Sequence, residues 1–142
     1  IHEKRKGRNP LSTERQHQPV VGEGLPNPIG PYSPGVQLGQ LLFVSGQGAT
    51  VPGTGELVAL DVETQTEQVF KNMAAILEAA GSSLDHVLRC GVFLADMRDF
   101  PKMNAVYERM MAGNKAARTT VQVAGLPVNG LLVEVDCIAY VP

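Results

Sequence analysis

DVETQTEQVFKNMAAILEAAGSSLDHVLRCGVFL, residues 61–94, changes its hydrophobic period once, and that change sets the architecture. Val62, Thr66, Val69, Phe70, Met73, Leu77 and Ala80 recur at intervals of three and four, which predicts a helix over 62–80 with one largely apolar stripe. Asp61 is placed to cap its N-terminus, Glu63 sits near the positive helix end, and Gly81 supplies the stop. From His86 to Leu94 the period is lost and a short apolar run reads as a strand.

Upstream, LLFVS at 41–45 reads as a buried strand, and Pro52-Gly53-Thr54-Gly55 as a turn able to close a hairpin onto Leu57-Val58. Residues 22–35 are rich in Gly and Pro and read as a stiff loop. Downstream, Asp99 can cap a second helix that tolerates Pro101 in its first turn, faces inward with Phe100, Met103, Tyr107 and Met110, and ends at Gly113. Two strands follow, Thr119–Val123 and Leu131–Tyr140, separated by the turn at 125–130. The order of strands, helix, strand, helix, strands is α+β: one mixed sheet with both helices packed on one face. The other face would be bare, and self-association is the natural way to cover it. At 142 residues the chain fits one domain, expected over 21–142, behind a polar arm at 1–20 that carries Lys4, Arg5, Lys6 and Arg8.

The net charge of -2 argues against a broad nucleic-acid or acidic-membrane partner, because neutralising phosphates takes clustered cations. Cys90 and Cys137 lie far apart within apolar stretches, with no Cys or His at zinc-ligand spacing, so they read as buried thiols and no metal site is expected. No run approaches the roughly 18 apolar residues of a membrane span, and no signal-peptide core is present; a cytoplasmic location is expected. A nucleophile elbow, a P-loop and a dinucleotide fingerprint are all missing.

Chemistry is sought where polar groups interrupt apolar strands. Arg118, Thr120 and Gln122 share one face of their strand; Leu132, Glu134, Asp136, Ile138 and Tyr140 share a face of the last one, which should turn away from the helices. Glu134 and Asp136 are either rim or intersubunit ion pairs or a poised acid/base close to Arg118. Arg118 is either an interface cation or a planar, bidentate grip for a carboxylate, which Lys cannot copy. Tyr32 stands in the stiff Gly30-Pro31-Tyr32-Ser33-Pro34 loop, as a packing aromatic or a pocket residue. Asn104 lies one turn from Phe100 and Tyr107, as an interior amide or a ligand contact. Ser45-Gly46 ends a strand, and Gly46 allows close backbone approach.

At these positions the sequence resembles the Rid family, the reactive intermediate deaminases also known as YjgF-type or L-PSP proteins. The stretches that carry the resemblance are IGPYSPGV (29–36), LLFVSGQ (41–47), TGELV (54–58), EQVFKNMAAILEAAGSSLDHV (67–87), VFLADMRDFPKMNAVYERM (92–110), ARTTVQVAGLP (117–127) and VEVDCIA (133–139). The resemblance implies a chorismate-mutase-like fold assembled as a homotrimer with clefts between subunits. It implies 2-aminoacrylate-derived imino acids as substrates, hydrolysed to keto acids and ammonia without a cofactor. Arg118 matches the family arginine that binds the substrate carboxylate; Tyr32, Asn104 and Glu134 match residues lining the pocket, and Ser45 and Gly46 the loop that approaches the ligand. Thr120, joining Glu134 in holding water, stands where many deaminating members carry Cys. Lys115-Ala116-Ala117 leads into Arg118 where the family usually has Phe-Pro-Ala, and Arg89-Cys90-Gly91 departs from a more usual Lys-x-Thr. Two rival functions stay open at this point: an endoribonuclease, for which the sequence offers only the basic arm, and a non-catalytic regulator binding a small carboxylic acid.

Overall fold

The computed structural model describes residues 15–142, so the basic cluster at 4–8 lies outside the described residues. Its six strands are β1 (Gln18–Pro19), β2 (Gly35–Leu38), β3 (Leu41–Gln47), β4 (Val87–Leu94), β5 (Ala117–Gln122) and β6 (Val133–Tyr140). The helices are α1 (Val62–Ala79) and α2 (Phe100–Met111). One sheet runs in the order β1-β2-β3-β6-β4-β5. Every pairing is antiparallel except β4 with β5, which α2 connects as a parallel crossover. The sheet is therefore mixed, as expected. Gln18 and Pro19, at the end of the polar arm, already pair with β2.

Alternation along β6 separates the two faces. Val133, Val135, Cys137 and Ala139 are buried under the helices, while Glu134, Asp136, Ile138 and Tyr140 turn the other way. On β3, Leu42 and Val44 join the helix side; Leu41 and Phe43, 42% and 45% exposed, lie on the open face. The helix side carries the core, in which Phe70, Met73, Ile76 and Leu77 of α1 and Met103 and Met111 of α2 are essentially inaccessible. Asp61 caps α1 as its position suggests, accepting from the Thr64 amide at 2.8 Å. The buried stripe is wider than the apolar residues alone: Gln65 and Asn72 are interior too, because their amides bond backbone carbonyls of adjoining loops and the Leu132 amide.

Three local expectations shift. Asp99 makes no capping hydrogen bond; Asp96 instead accepts from the Arg98 amide and caps the single 3-10 turn that leads into α2. In α2, Val106 and Met111 are buried where Met110 is only partly so. Around 50–58 the expected hairpin is reduced to one bridge, Thr50 to Leu57, with Val58 N–H bonding Ala49. Cys90 and Cys137 are buried free thiols, directly opposed across β4 and β6. No helix among the described residues is long and apolar enough to cross a membrane.

Candidate functional site

One feature positions the first group of site residues. Between Val44 and Gln47, β3 spends three residue steps while β6 spends two, so Ser45-Gly46 bulges opposite Asp136. The bulge is pinned to the Gly/Pro loop: Ser45 N–H bonds the Pro34 carbonyl at 2.9 Å and its hydroxyl donates to the Ser33 carbonyl at 2.7 Å. Glu134 stands on the open face opposite Phe93, and its carboxylate lies over Gly46, where a Cβ would collide with it. Tyr32, Gly46 and Glu134 border one pocket, whose other walls include Pro28, Ile29, Val128 and Leu131. Its volume is about 60 Å³. A water needs roughly 10–15 Å³ on that measure, so the pocket takes about four to six water-sized groups and has room only for a small molecule or part of one.

Burial pushes the Glu134 carboxyl above its ordinary value, and the like charge of Asp136, two residues along the same face, adds to the effect. Asp136 itself is tied down, accepting from the Gly91 amide at 3.0 Å. Glu134, with its proton held more tightly than by an ordinary glutamate, is thus the group on this face suited to taking and returning a proton.

The second group lies on the helix side. Cys90 pairs in register with Arg118, and Val92 with Thr120, so both polar side chains share the face of the core. Arg118 Nη1 donates to Asn104 Oδ1 at 2.7 Å, and its guanidinium carbon sits 4.6 Å from the Tyr107 ring centre and 5.5 Å from that of Phe100. Among the described residues no carboxylate pairs with Arg118. Thr120 Oγ1 is buried and has no hydrogen-bond partner among the described residues. Also among the described residues, no group of three or more His, Cys, Asp or Glu could hold a metal.

Within one chain, then, Arg118, Asn104 and Thr120 gather on one side of the sheet, and Tyr32, Ser45, Gly46 and Glu134 on the other. An acid/base beside Arg118 is not found in a single copy, because β5 and β6 present these residues in opposite phases of their alternation. Tyr107 escaped notice as a site residue because an aromatic at helical spacing reads as core; its place one turn from Asn104 and two from Phe100 was the available signal. The loop walls at Pro28, Val128 and Leu131 carried no signal of their own.

Gly46→Ala tests the close approach. Because the three atoms nearest the added methyl all belong to the flexible Glu134 side chain, the fold should survive with its melting temperature little changed, while any reaction using that carboxylate falls about tenfold or more through its displacement.

The sheet order and the crossover through α2 define an α+β protein with one mixed sheet. Residues 23–141 match the model of the Endoribonuclease L-PSP family, and the chain belongs to that family. It is 48% identical over 121 residues to a RutC family protein of Pyrococcus horikoshii, covering 85% of this chain and 95% of that one. It is 41% identical over 114 residues to the 2-iminobutanoate/2-iminopropanoate deaminase of Mus musculus, covering 80% and 84%. The crystal structure of RidA from the Antarctic bacterium Psychrobacter sp. superposes with a TM-score of 0.82 at 40% identity, over 87% of this chain and 98% of that one.

Proposed function

We propose that the protein is a cytoplasmic imine deaminase, hydrolysing small 2-imino acids derived from 2-aminoacrylate to 2-keto acids and ammonia, at clefts where three copies of the chain meet. The observation that carries this reading is the Arg118 guanidinium: fixed by an amide and two aromatic rings, yet without a carboxylate partner among the described residues. Such a group is an anion site awaiting its anion. The name of the mouse relative supports the choice of imine as substrate. The exposed apolar side chains on the open face, Leu41 and Phe43 among them, support self-association. The separation of Arg118 from Glu134 by the sheet supports a site shared between copies, with Arg118 and Asn104 from one and the Glu134 pocket from its neighbour.

In this mechanism Arg118 holds the substrate carboxylate by two parallel hydrogen bonds, which fixes the C=N carbon. The enamine tautomerises to the imine. Glu134 removes a proton from a water that Thr120 helps to hold; the hydroxyl oxygen bonds to the C=N carbon and the nitrogen takes a proton. That proton comes from Glu134, which is ionised again; it then takes the carbinolamine's hydroxyl proton and passes it to the amine, so that the C–N bond breaks, ammonia leaves and the keto acid remains. The imine is electrophilic enough that neither covalent nucleophile nor metal enters the scheme.

The test is ammonia release from enzymatically generated 2-aminoacrylate, followed against the spontaneous rate. An accelerated rate supports the reading. A rate equal to the spontaneous one, with pyruvate still bound, makes the protein a carboxylate-binding regulator; salt-dependent cleavage of RNA in its place makes it a nuclease.

A further inference from the structure

We propose that Tyr107 is the positioning residue of the Arg118 guanidinium, an inference that rests on the carboxylate-binding role given to Arg118 above. A guanidinium offers five N–H donors in one plane, and how it is held decides how many stay free. An Asp or Glu partner would occupy the fork and cancel the charge. Tyr107 does neither: its ring, 4.6 Å from the guanidinium carbon and nearer than Phe100, attracts the cation through the π system and takes up no donor. Asn104 Oδ1 accepts from Nη1 and sets rotation within the plane. Among the described residues no other hydrogen bond engages the guanidinium, so its remaining donors are left for a carboxylate.

The ring is itself held. Phe70 of α1, fully buried, meets it edge-on, with centres 5.2 Å apart and planes at 90°. Such T-shaped packing defines a ring plane rather than merely filling volume. Tyr107 is only 8% exposed, and its hydroxyl points at the Cys90 thiol, a weak partner, with no well-formed hydrogen bond among the described residues. The strong contacts that fix the residue are therefore those of its ring. Phe100, Asn104 and Tyr107 occupy three successive turns of α2, so one helix face supplies the whole grip.

The two changes that separate ring from hydroxyl are Tyr107→Phe and Tyr107→Leu. Tyr107→Phe should bind pyruvate, used as the probe carboxylate, within about twofold of wild type, and should keep KM for the imine. Tyr107→Leu should weaken pyruvate binding and raise KM about five- to tenfold, the loss expected of a partly buried cation–π contact, with a smaller fall in kcat. Pyruvate binding by Tyr107→Leu equal to wild type, or a loss in Tyr107→Phe as large as in Tyr107→Leu, overturns the proposal. If Tyr107→Leu does not fold, the proton resonances of the Arg118 side chain decide: ring-current upfield shifts in wild type and in Tyr107→Phe support the stacked geometry, and ordinary shifts overturn it. These readouts survive failure of the deaminase reading, since a protein that binds pyruvate without turning over imines still reports the grip through its dissociation constants.

Discussion

Arg118→Ala should lower kcat/KM for imine hydrolysis by about 10²- to 10³-fold. The figure follows from losing a charge-assisted, bidentate contact to the carboxylate, for which truncating one partner costs about 2–5 kcal/mol. Arg118→Lys should recover little of it, because an ammonium keeps the charge and loses the planar fork that Asn104 and Tyr107 orient. The fold has little reason to fail, since Arg118 lies at the outer strand β5 and makes no ion pair among the described residues. Ammonia release and calorimetric titration with pyruvate read the two halves of the effect. Full activity in a correctly assembled Arg118→Ala protein would remove the basis of the proposed mechanism.

Glu134→Gln should cost about 10²-fold in kcat, the usual contribution of a positioned acid/base, while leaving pyruvate binding nearly intact. The pH profile carries more information than the rate. Burial, and then Asp136, raise the Glu134 carboxyl above the ordinary glutamate value, so the acid limb of kcat/KM should lie at higher pH than a solvated carboxylate would give. Activity rises with pH through that limb as the carboxylate forms. Asp136→Asn removes the like charge and should move the limb toward lower pH. Stability has the opposite sign: the folded protein binds this proton more tightly than the unfolded chain does, so stability is favoured below the unfolded value and declines as pH rises through the folded one. Glu134→Gln, which cannot ionise, should therefore be no less stable than wild type at neutral pH, and thermal melts at acid and neutral pH check it. An acid limb that stays in place in Glu134→Gln would assign the titration to another group.

The architecture was readable because the strongest signals are periodic. The stripe from Val62 to Leu77, the Asp61 cap and the amphipathic final strand all appear as expected, since each depends on neighbours close in sequence. Gln65 and Asn72 broke the pattern because their satisfaction comes from loops far along the chain. The site divides in the same way. Arg118 and Glu134 stand out as charges in apolar strands, and the faces of β5 and β6 follow from alternation one strand at a time. Their relation does not, because it depends on β4 lying between them and on the register that aligns Arg118 with Cys90 and Glu134 with Phe93. The Ser45-Gly46 bulge is equally silent in the sequence: one residue gained against β6 is a property of pairing, visible only when both strands are laid side by side.

The two groups of candidate residues also differ in what anchors them. The guanidinium grip is built on rings that continue into the interior through Phe70, so a change beneath Arg118 disturbs core packing and is felt as lost stability. The pocket over Gly46 is walled by the segments around Pro28 and Val128, outside any helix or strand, where substitutions cost little. On the proposed mechanism, the preferred substrate side chain can therefore be retuned by redrawing two loops, while the aromatic bed beneath Arg118 stays constrained by the packing of the core.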